Sequence, residues 1–306
     1  MTAAPPAATQ PVEPQPVDSV RPFQPGVSID WRNHAVLADA QVVLVAGPLE
    51  FLACFPGKEH ESVLRFEASA AHVYMALGLV GLQPGRPPRW DEDRQRYLPP
   101  EGDLVDVWIE FEVEGRTRRV NGFDWLLTTE YSRPPVERPW IFAGSKPLPD
   151  GGLAADRTGE GLAVVDMPNC LLALSRSHVS RNDDLWAEAN TAAIPPVHTK
   201  VRVILTPVAP RTPNISVDFR GAIEIDGRFA DAADLADVLL LNCRMNPDSP
   251  PEIKTKGVLQ ADLDNLRNKL LGLGVPVTAL RFRASAPASA PTRDQPSSQS
   301  HSTLPP

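Results

Sequence analysis

Residues Leu104–Val113, LVDVWIEFEV, alternate apolar and polar side chains over ten positions. A period of two places Val105, Val107, Ile109, Phe111 and Val113 on one side of an extended chain and Asp106, Glu110 and Glu112 on the other. A helix would spread this pattern around its whole circumference, so the segment reads as a strand with one buried face. Glu114-Gly115 then turns the chain into RTRRVNG, an antiparallel partner. In that hairpin the three arginines are expected to face the acids of the first strand.

The same reading extends on both sides. VSIDW and AVLADAQVVLVAG are rich in β-branched residues and break at Asn33-His34. RPWIFAGS, GLAVVD and KVRVILTP are further strand candidates, and DWLLTTEY is a short helix or strand. One helix interrupts them. Ser69 is its N-cap and Gly81 its end, with Met75, Ala76 and Leu79 on one face and Val73, Leu77 and Val80 beside it. Such a helix is apolar nearly all round and is expected to be buried, with His72 as a hydrogen-bonded core histidine. PRTPN marks a linker, after which the pattern becomes β-β-α-β-α-β. Asp231 caps a helix carrying Leu235, Val238 and Leu239, and a later helix carries Leu259, Leu263, Leu266, Leu270 and Leu273 at 4-3-4-3 spacing. The fold class is therefore α+β. Residues 26–208 form a β-rich domain with one buried helix, and residues 209–283 form a small domain with two helices on one sheet face.

Proline is the compositional outlier at 34 residues, with seven in residues 1–25 and five in residues 284–306. These two segments carry too little apolar bulk to offset the entropy of ordering, so both are expected to be disordered, with His301 a solvated tail residue. A net charge of −8 argues against a general nucleic-acid binder and against docking on anionic lipid. Cys54, Cys170 and Cys243 are far apart and form no CxxC, so no iron–sulfur cluster, structural zinc or other cofactor is expected, and their odd number argues against a disulfide framework. No apolar run approaches the roughly 20 residues that span a bilayer, and the N-terminus shows no secretory signal, which is compatible with a cytoplasmic chain.

Chemistry-bearing residue types crowd into CFPGKEHES, residues 54–62. The catalytic candidates are Cys54, His60, Glu61 and Ser62: a thiol or hydroxyl nucleophile needs a base and an acid that orients it. The ligand-binding candidates are Lys58, His60, Ser145 and Asp156. No metal site is expected, because adjacent side chains such as His60 and Glu61 diverge in an extended segment, and further ligands would have to come from His72, Asp156 or His198. The simpler reading makes Pro56-Gly57 a turn, with Lys58 and Glu59 solvated and His60 or Ser62 bonded to the backbone; Ser145 and Asp156 are then turn and capping residues.

Residues 27–207 resemble the YdjY domain, a bacterial domain of unassigned biochemical function. The resemblance rests on GPLEFLACFPGKEHESVL, HVYMALGLVGLQPG, WIFAGS, AADRTGEGLAVVDMPNCLLAL and EANTAAIPPVHTKVRVILTP, in that order. Residues 214–282 resemble the periplasmic domain of the ExbD/TolR proteins through ISVDFRGAIEIDGR, EIKTKGVLQADLDNLRNKLLGLGV and VTALRF. That family's membrane helix, with its proton-carrying aspartate, is missing from this sequence. The YdjY resemblance implies no established reaction; the expected function is a non-enzymatic binding or scaffolding module, and the resemblances point to the bacterial cell envelope or periplasm. They also imply a protein partner or self-association through residues 209–283. The competing expectation is a hydrolase or metal-dependent enzyme using Cys54, His60 and Glu61.

Overall fold

The computed structural model describes residues 19–178 and 185–284. Most of the two expected tails lies outside those residues, as does His301. Order nevertheless begins ahead of residue 26: Val20–Gln24 is a strand paired with Val27–Asp30. At the other end Ala284 closes the last strand, Arg281–Ala284.

The strand legible from its alternation is there in full, at Leu104–Val113, and so is its neighbour Lys200–Pro207. They pair antiparallel with Val107 opposite Leu205 and Ile109 opposite Val203, so the apolar rows of both strands share one face. Following the hydrogen bonds around gives Ala35–Val42, Lys200–Pro207, Leu104–Val113, Trp140–Phe142, Leu172–Ala173, Leu162–Ala163, Phe51–Cys54 and Ser62–Phe66. The last of these pairs back onto the first, Ala40 opposite Phe66, which closes an eight-stranded barrel. Eight strands leave an interior that side chains can fill. Val36, Ala38, Ala40, Val105, Val107, Ile109, Phe111, Val203 and Leu205 belong to one continuous apolar cluster. The opposite face of the same strands carries a small separate patch of Ala35, Leu37 and Ile204 against Trp108.

The arginines after Gly115 do pair in register, with Glu110 opposite Arg119 and Phe111 opposite Arg118. Their expected ion pairs with the acids of Leu104–Val113 do not form among the described residues. Arg119 instead lies over the Trp108 ring at 5.2 Å, and the nearest cation to Glu110 is Arg202 at 4.0 Å.

Four helices occur among the described residues, giving a mixed, strand-rich α+β protein. Helix α1 (Ala70–Leu79) begins where expected: the Ser69 hydroxyl accepts the His72 N–H at 3.2 Å. It is not buried all round. Ala70, Val73, Ala76 and Leu77 face the cluster, while Met75 and Leu79 are exposed. Apolar composition told which side chains could be buried, but only one side of the helix meets the sheet. Nor is His72 satisfied as expected, since its Nδ1 is buried without a partner. Helix α2 (Ala154–Thr158) is a single turn that the sequence did not announce.

After the barrel, Ile215–Asp218, Glu252–Lys256 and Arg281–Ala284 run parallel, with Ile223–Ile225 and Arg228–Ala230 added antiparallel on one side. Helices α3 (Ala232–Met245) and α4 (Gln260–Gly272) connect the parallel strands and share their apolar cluster. Asp231 caps α3 by accepting the Asp234 N–H at 2.7 Å, and Leu235, Val238 and Leu239 are buried. In α4 only Leu270 is fully buried, and Leu259 and Leu273, which flank the helix at its two ends, stand in solvent.

Ion pairs and packing join this sheet to the barrel chain. Arg138 reaches Asp237 at 3.1 Å and Asp234 at 3.5 Å, both on α3. Arg228 bonds both Asp124 and Glu137, and Val136 packs into the sheet's own apolar cluster.

Candidate functional site

The polar loop grows from two parallel strands. Phe51–Cys54 and Ser62–Phe66 pair with Phe51 beside Ser62, which sets Glu50 next to Glu61, the Glu50 N–H donating to the Glu61 carbonyl at 3.0 Å. The connection turns at Gly57, whose φ of +111° suits glycine, and closes through a 3₁₀ turn at Glu59–Glu61. Lys58 folds back to pair with Glu61 and lies 3.9 Å from Glu50. Burial, then the neighbouring Glu61 carboxylate, pushes the Glu50 carboxyl up to about 7. Burial pulls the Lys58 ammonium down, but the carboxylates of Glu61, Glu50 and Glu160 outweigh this and hold it above the ordinary range.

The sequence-selected residues of this loop divide in two: Cys54 and Ser62 are buried beside each other, and His60 stands in solvent. Cys54 has no exposed surface and packs with Phe51, Ala143, Ala163, Cys170 and Ala173. Burial pushes its thiol up to about 11, so almost no thiolate forms at neutral pH. The Ser62 hydroxyl is buried and donates to the Leu64 carbonyl at 2.7 Å. The His60 side chain is 73 % exposed and touches Glu61 only at 3.6 Å. The structure thus brings together Lys58, Glu61 and Glu50, sets Ser62 beside the buried Cys54, and leaves His60 in solvent. Glu50 was the residue to find: a carboxylate inside the apolar run GPLEFLAC is the signal that marks it.

Ser145 and Asp156 position backbone. Ser145 adopts a φ of +61°, and its hydroxyl accepts the Ala155 N–H at 3.0 Å. Asp156 accepts the first amides of α1, Ala70 at 2.6 Å and Ala71 at 3.2 Å, where a carboxylate suits the positive end of the helix. Among the described residues no group of three or more His, Cys, Asp or Glu side chains is placed to hold a metal ion, so His72, Asp156 and His198 do not assemble around the loop.

A second constellation lies where α3 meets the barrel chain. It is a cleft of about 310 Å³ whose wall includes Arg133, Arg138, Arg176, His178, Trp186 and Phe229. The His178 ring stacks on Trp186 with centroids 4.5 Å apart, and the Trp186 indole N–H donates to the Val164 carbonyl at 2.7 Å. Burial, reinforced by Arg138 and Arg176, pushes the imidazole down to about 2, so the ring is neutral. The Asp166 carboxyl, pushed up to about 6 by burial, takes the Ser177 hydroxyl and anchors this segment. Arg138 is buried, with a side chain only 2 % exposed; Arg133 lies over both Tyr131 (4.5 Å) and Phe229 (5.1 Å). Behind the wall, Arg138 Nε and His178 Nε2 have no accessible surface and no hydrogen-bond partner.

The YdjY domain matches residues 27–206, more than half of the sequence. The chain belongs to the YdjY domain family. No curated protein and no solved structure matches it. The polar loop lies wholly within the YdjY domain, whereas the cleft does not: Phe229, Asp231 and Asp234 come from beyond it. Sequence reading missed the cleft because its walls come from three separated stretches of chain. Its one local hint is RSHVSRNDDLW, in which a histidine and a tryptophan sit among charges. Among the described residues no helix is long and apolar enough to cross a membrane.

Proposed function

We propose that the chain is a non-enzymatic binding or scaffolding module of the bacterial cell envelope. The observation that carries this reading is the separation at the polar loop: a nucleophile needs its base within hydrogen-bond reach, and Cys54 is fully buried in an apolar cluster of its own while His60 faces solvent. The cleft against α3 supports it from the other side, as a concave site with aromatic and charged walls. Residues 209–283 are read as a docking unit of the ExbD/TolR periplasmic kind, two helices on one sheet face, with self-association or a protein partner as its role. Exposed Phe219, Leu259 and Val277 on that unit, and its edge strand Arg281–Ala284, support this reading. Placement in the envelope or periplasm rests on the family resemblances.

Sedimentation velocity of the full chain over a hundredfold concentration range, together with fractionation of the producing cells, tests the proposal. A strictly monomeric chain found only in the cytoplasmic fraction overturns it. A second reading, an acid–base enzyme at the loop, is favoured by one observation: the Glu50 carboxyl titrates near 7 beside Glu61 and Lys58, as a proton-transfer group would. Hydrolysis of activated ester or phosphoester probes that disappears in Glu50→Gln and persists in Cys54→Ala would establish that reading instead.

A further inference from the structure

We propose that residues 214–284 form a charge-latched unit that swings off the barrel as a folded body, so that the barrel is a reversible cover for one face of helix α3. The inference rests on reading that unit as a docking module and states how access to it is controlled. Its first support is that the two apolar cores are separate. Among the described residues the barrel's cluster has no member beyond Leu205, and the sheet's cluster takes a single member from the barrel chain, Val136. Among the same residues no strand of one sheet pairs with a strand of the other, and no backbone–backbone hydrogen bond runs from residues 214–284 to the barrel chain. The covalent connection is one stretch, residues 208–213, with two prolines and no helix or strand.

Charge does the joining, and it does so from both sides. Arg138 of the barrel chain meets Asp237 and Asp234 of α3 at 3.1 and 3.5 Å, and the Ser175 hydroxyl donates to Asp237 at 2.6 Å. In return Arg228 of the sheet reaches Asp124 at 2.5 Å and Glu137 at 2.6 Å, and donates to the Pro135 carbonyl at 2.8 Å. Such pairs fix geometry but return little net free energy, because each charge regains its hydration when the pair parts. A polar interface between two units with their own cores makes relative motion the expected behaviour. What the barrel covers is a second stripe of α3. Leu235 and Leu239 belong to the sheet's cluster. Asp234, Asp237 and Leu241, spaced three and four apart, share a different side of the helix. Leu241 is only 3 % exposed yet belongs to neither apolar cluster; it lines a narrow gap with Glu137, Pro139 and Pro213. Opening presents two aspartates and a leucine on one helical stripe, a face suited to a protein partner.

The experiment is native-state thiol labelling of the full chain in a Cys243→Ala background, since Cys243 is partly exposed. One reporter is Leu241→Cys, beneath the barrel. The other is Leu239→Cys, at a position with no exposed surface inside the sheet's own cluster. Cys54 and Cys170, both buried, report unfolding of the barrel in the same reaction. Position 241 is expected to label at least about tenfold faster than position 239, because local opening precedes unfolding. Arg228→Gln is expected to speed position 241 about tenfold more, the weight of one charge-assisted hydrogen bond, and to leave position 239 unchanged. Equal rates at the two positions overturn the proposal, since the interface then opens only by unfolding. Equal acceleration of both by Arg228→Gln overturns it as well, since that arginine then supports the fold and not the latch. Circular dichroism checks that both cysteine variants fold. If either does not, small-angle scattering decides: Arg228→Gln should have a longer maximum dimension than wild type, and an unchanged one overturns the latch. Sedimentation of the wild type keeps the two readings apart, because a chain that stays monomeric while position 241 labels fast retains the latch and loses self-association.

Discussion

Arg138 offers the sharpest test of how the C-terminal sheet is held to the barrel. Its guanidinium lies 3.1 Å from Asp237 and 3.5 Å from Asp234, with the side chain 2 % exposed. Replace it with methionine, which fills much of the same volume. Asp234 keeps Arg176 at 3.4 Å, but Asp237 keeps only the Ser175 hydroxyl, at 2.6 and 2.7 Å. Coulomb attraction at 3.1 Å is about 5 kcal/mol at an effective dielectric of about 20, and part of it is offset because a buried guanidinium no longer has to be desolvated. Stranding one buried carboxylate should cost about 3–5 kcal/mol, a large part of a domain's ordinary stability of about 5–15 kcal/mol. Urea unfolding followed by tryptophan fluorescence measures the loss. The double variant Arg138→Met/Asp237→Leu removes both charges and should recover more than half of it, a coupling that contact predicts and independent sites do not show. If Arg138→Met costs under about 1 kcal/mol, or the two single losses simply add, the buried pair does not hold the interface and the argument fails.

Four further outcomes are expected. Glu50 titrates near 7 when folded against 4.5 unperturbed, so the folded state holds a proton that the unfolded chain has lost; stability is full below about pH 4.5 and declines by on the order of 3 kcal/mol as pH rises through 7. Glu50→Gln should flatten that profile in urea titrations, and an unchanged slope refutes the assignment. Native protein at pH 8 should react with a thiol reagent at Cys243 alone, with Cys54 and Cys170 appearing only on denaturation; rapid native labelling of Cys54 would contradict its burial. Gly161→Ala puts a Cβ 2.3 Å from the Ala53 carbonyl oxygen, backbone that cannot yield, and should destabilise by about 1–3 kcal/mol or more, whereas a wild-type melting curve would show that the approach is looser. Asp156→Ala should cost about 1 kcal/mol by uncapping α1, while Asp156→Asn retains most of the stability; equal losses in both would point to a different role.

Local chemistry was read well where it acts over a few residues. The alternation of Leu104–Val113, the β-branched run Lys200–Pro207, the Ser69 and Asp231 caps and the turn at Gly57 all depend on neighbours within about four positions, so their signals survive in the bare sequence. The loop at 54–62 was legible as residue types only. Nothing nearby in sequence says that the Cys54 thiol is buried or that His60 is exposed, because that depends on what packs over each face of Phe51–Cys54. The α1 burial shows the same limit: its residues are apolar on several sides, and the sheet it meets selects one.

What the sequence determined by itself is the α+β class, the position of its long strands and most helix starts, and the family to which residues 27–206 belong. What only the tertiary structure decided is closure and convergence. The barrel closes through Ala40 beside Phe66 and through strands of two residues, Leu162–Ala163 and Leu172–Ala173, far too short to carry a pattern of their own. Asp156 caps a helix 86 residues away, and the cleft joins Arg133, His178 and Phe229 from distant stretches. Periodicity fixes which way a side chain points along its own element, but pairing between remote segments is fixed by the burial and hydrogen bonding of the whole chain at once, and no window of sequence contains that sum.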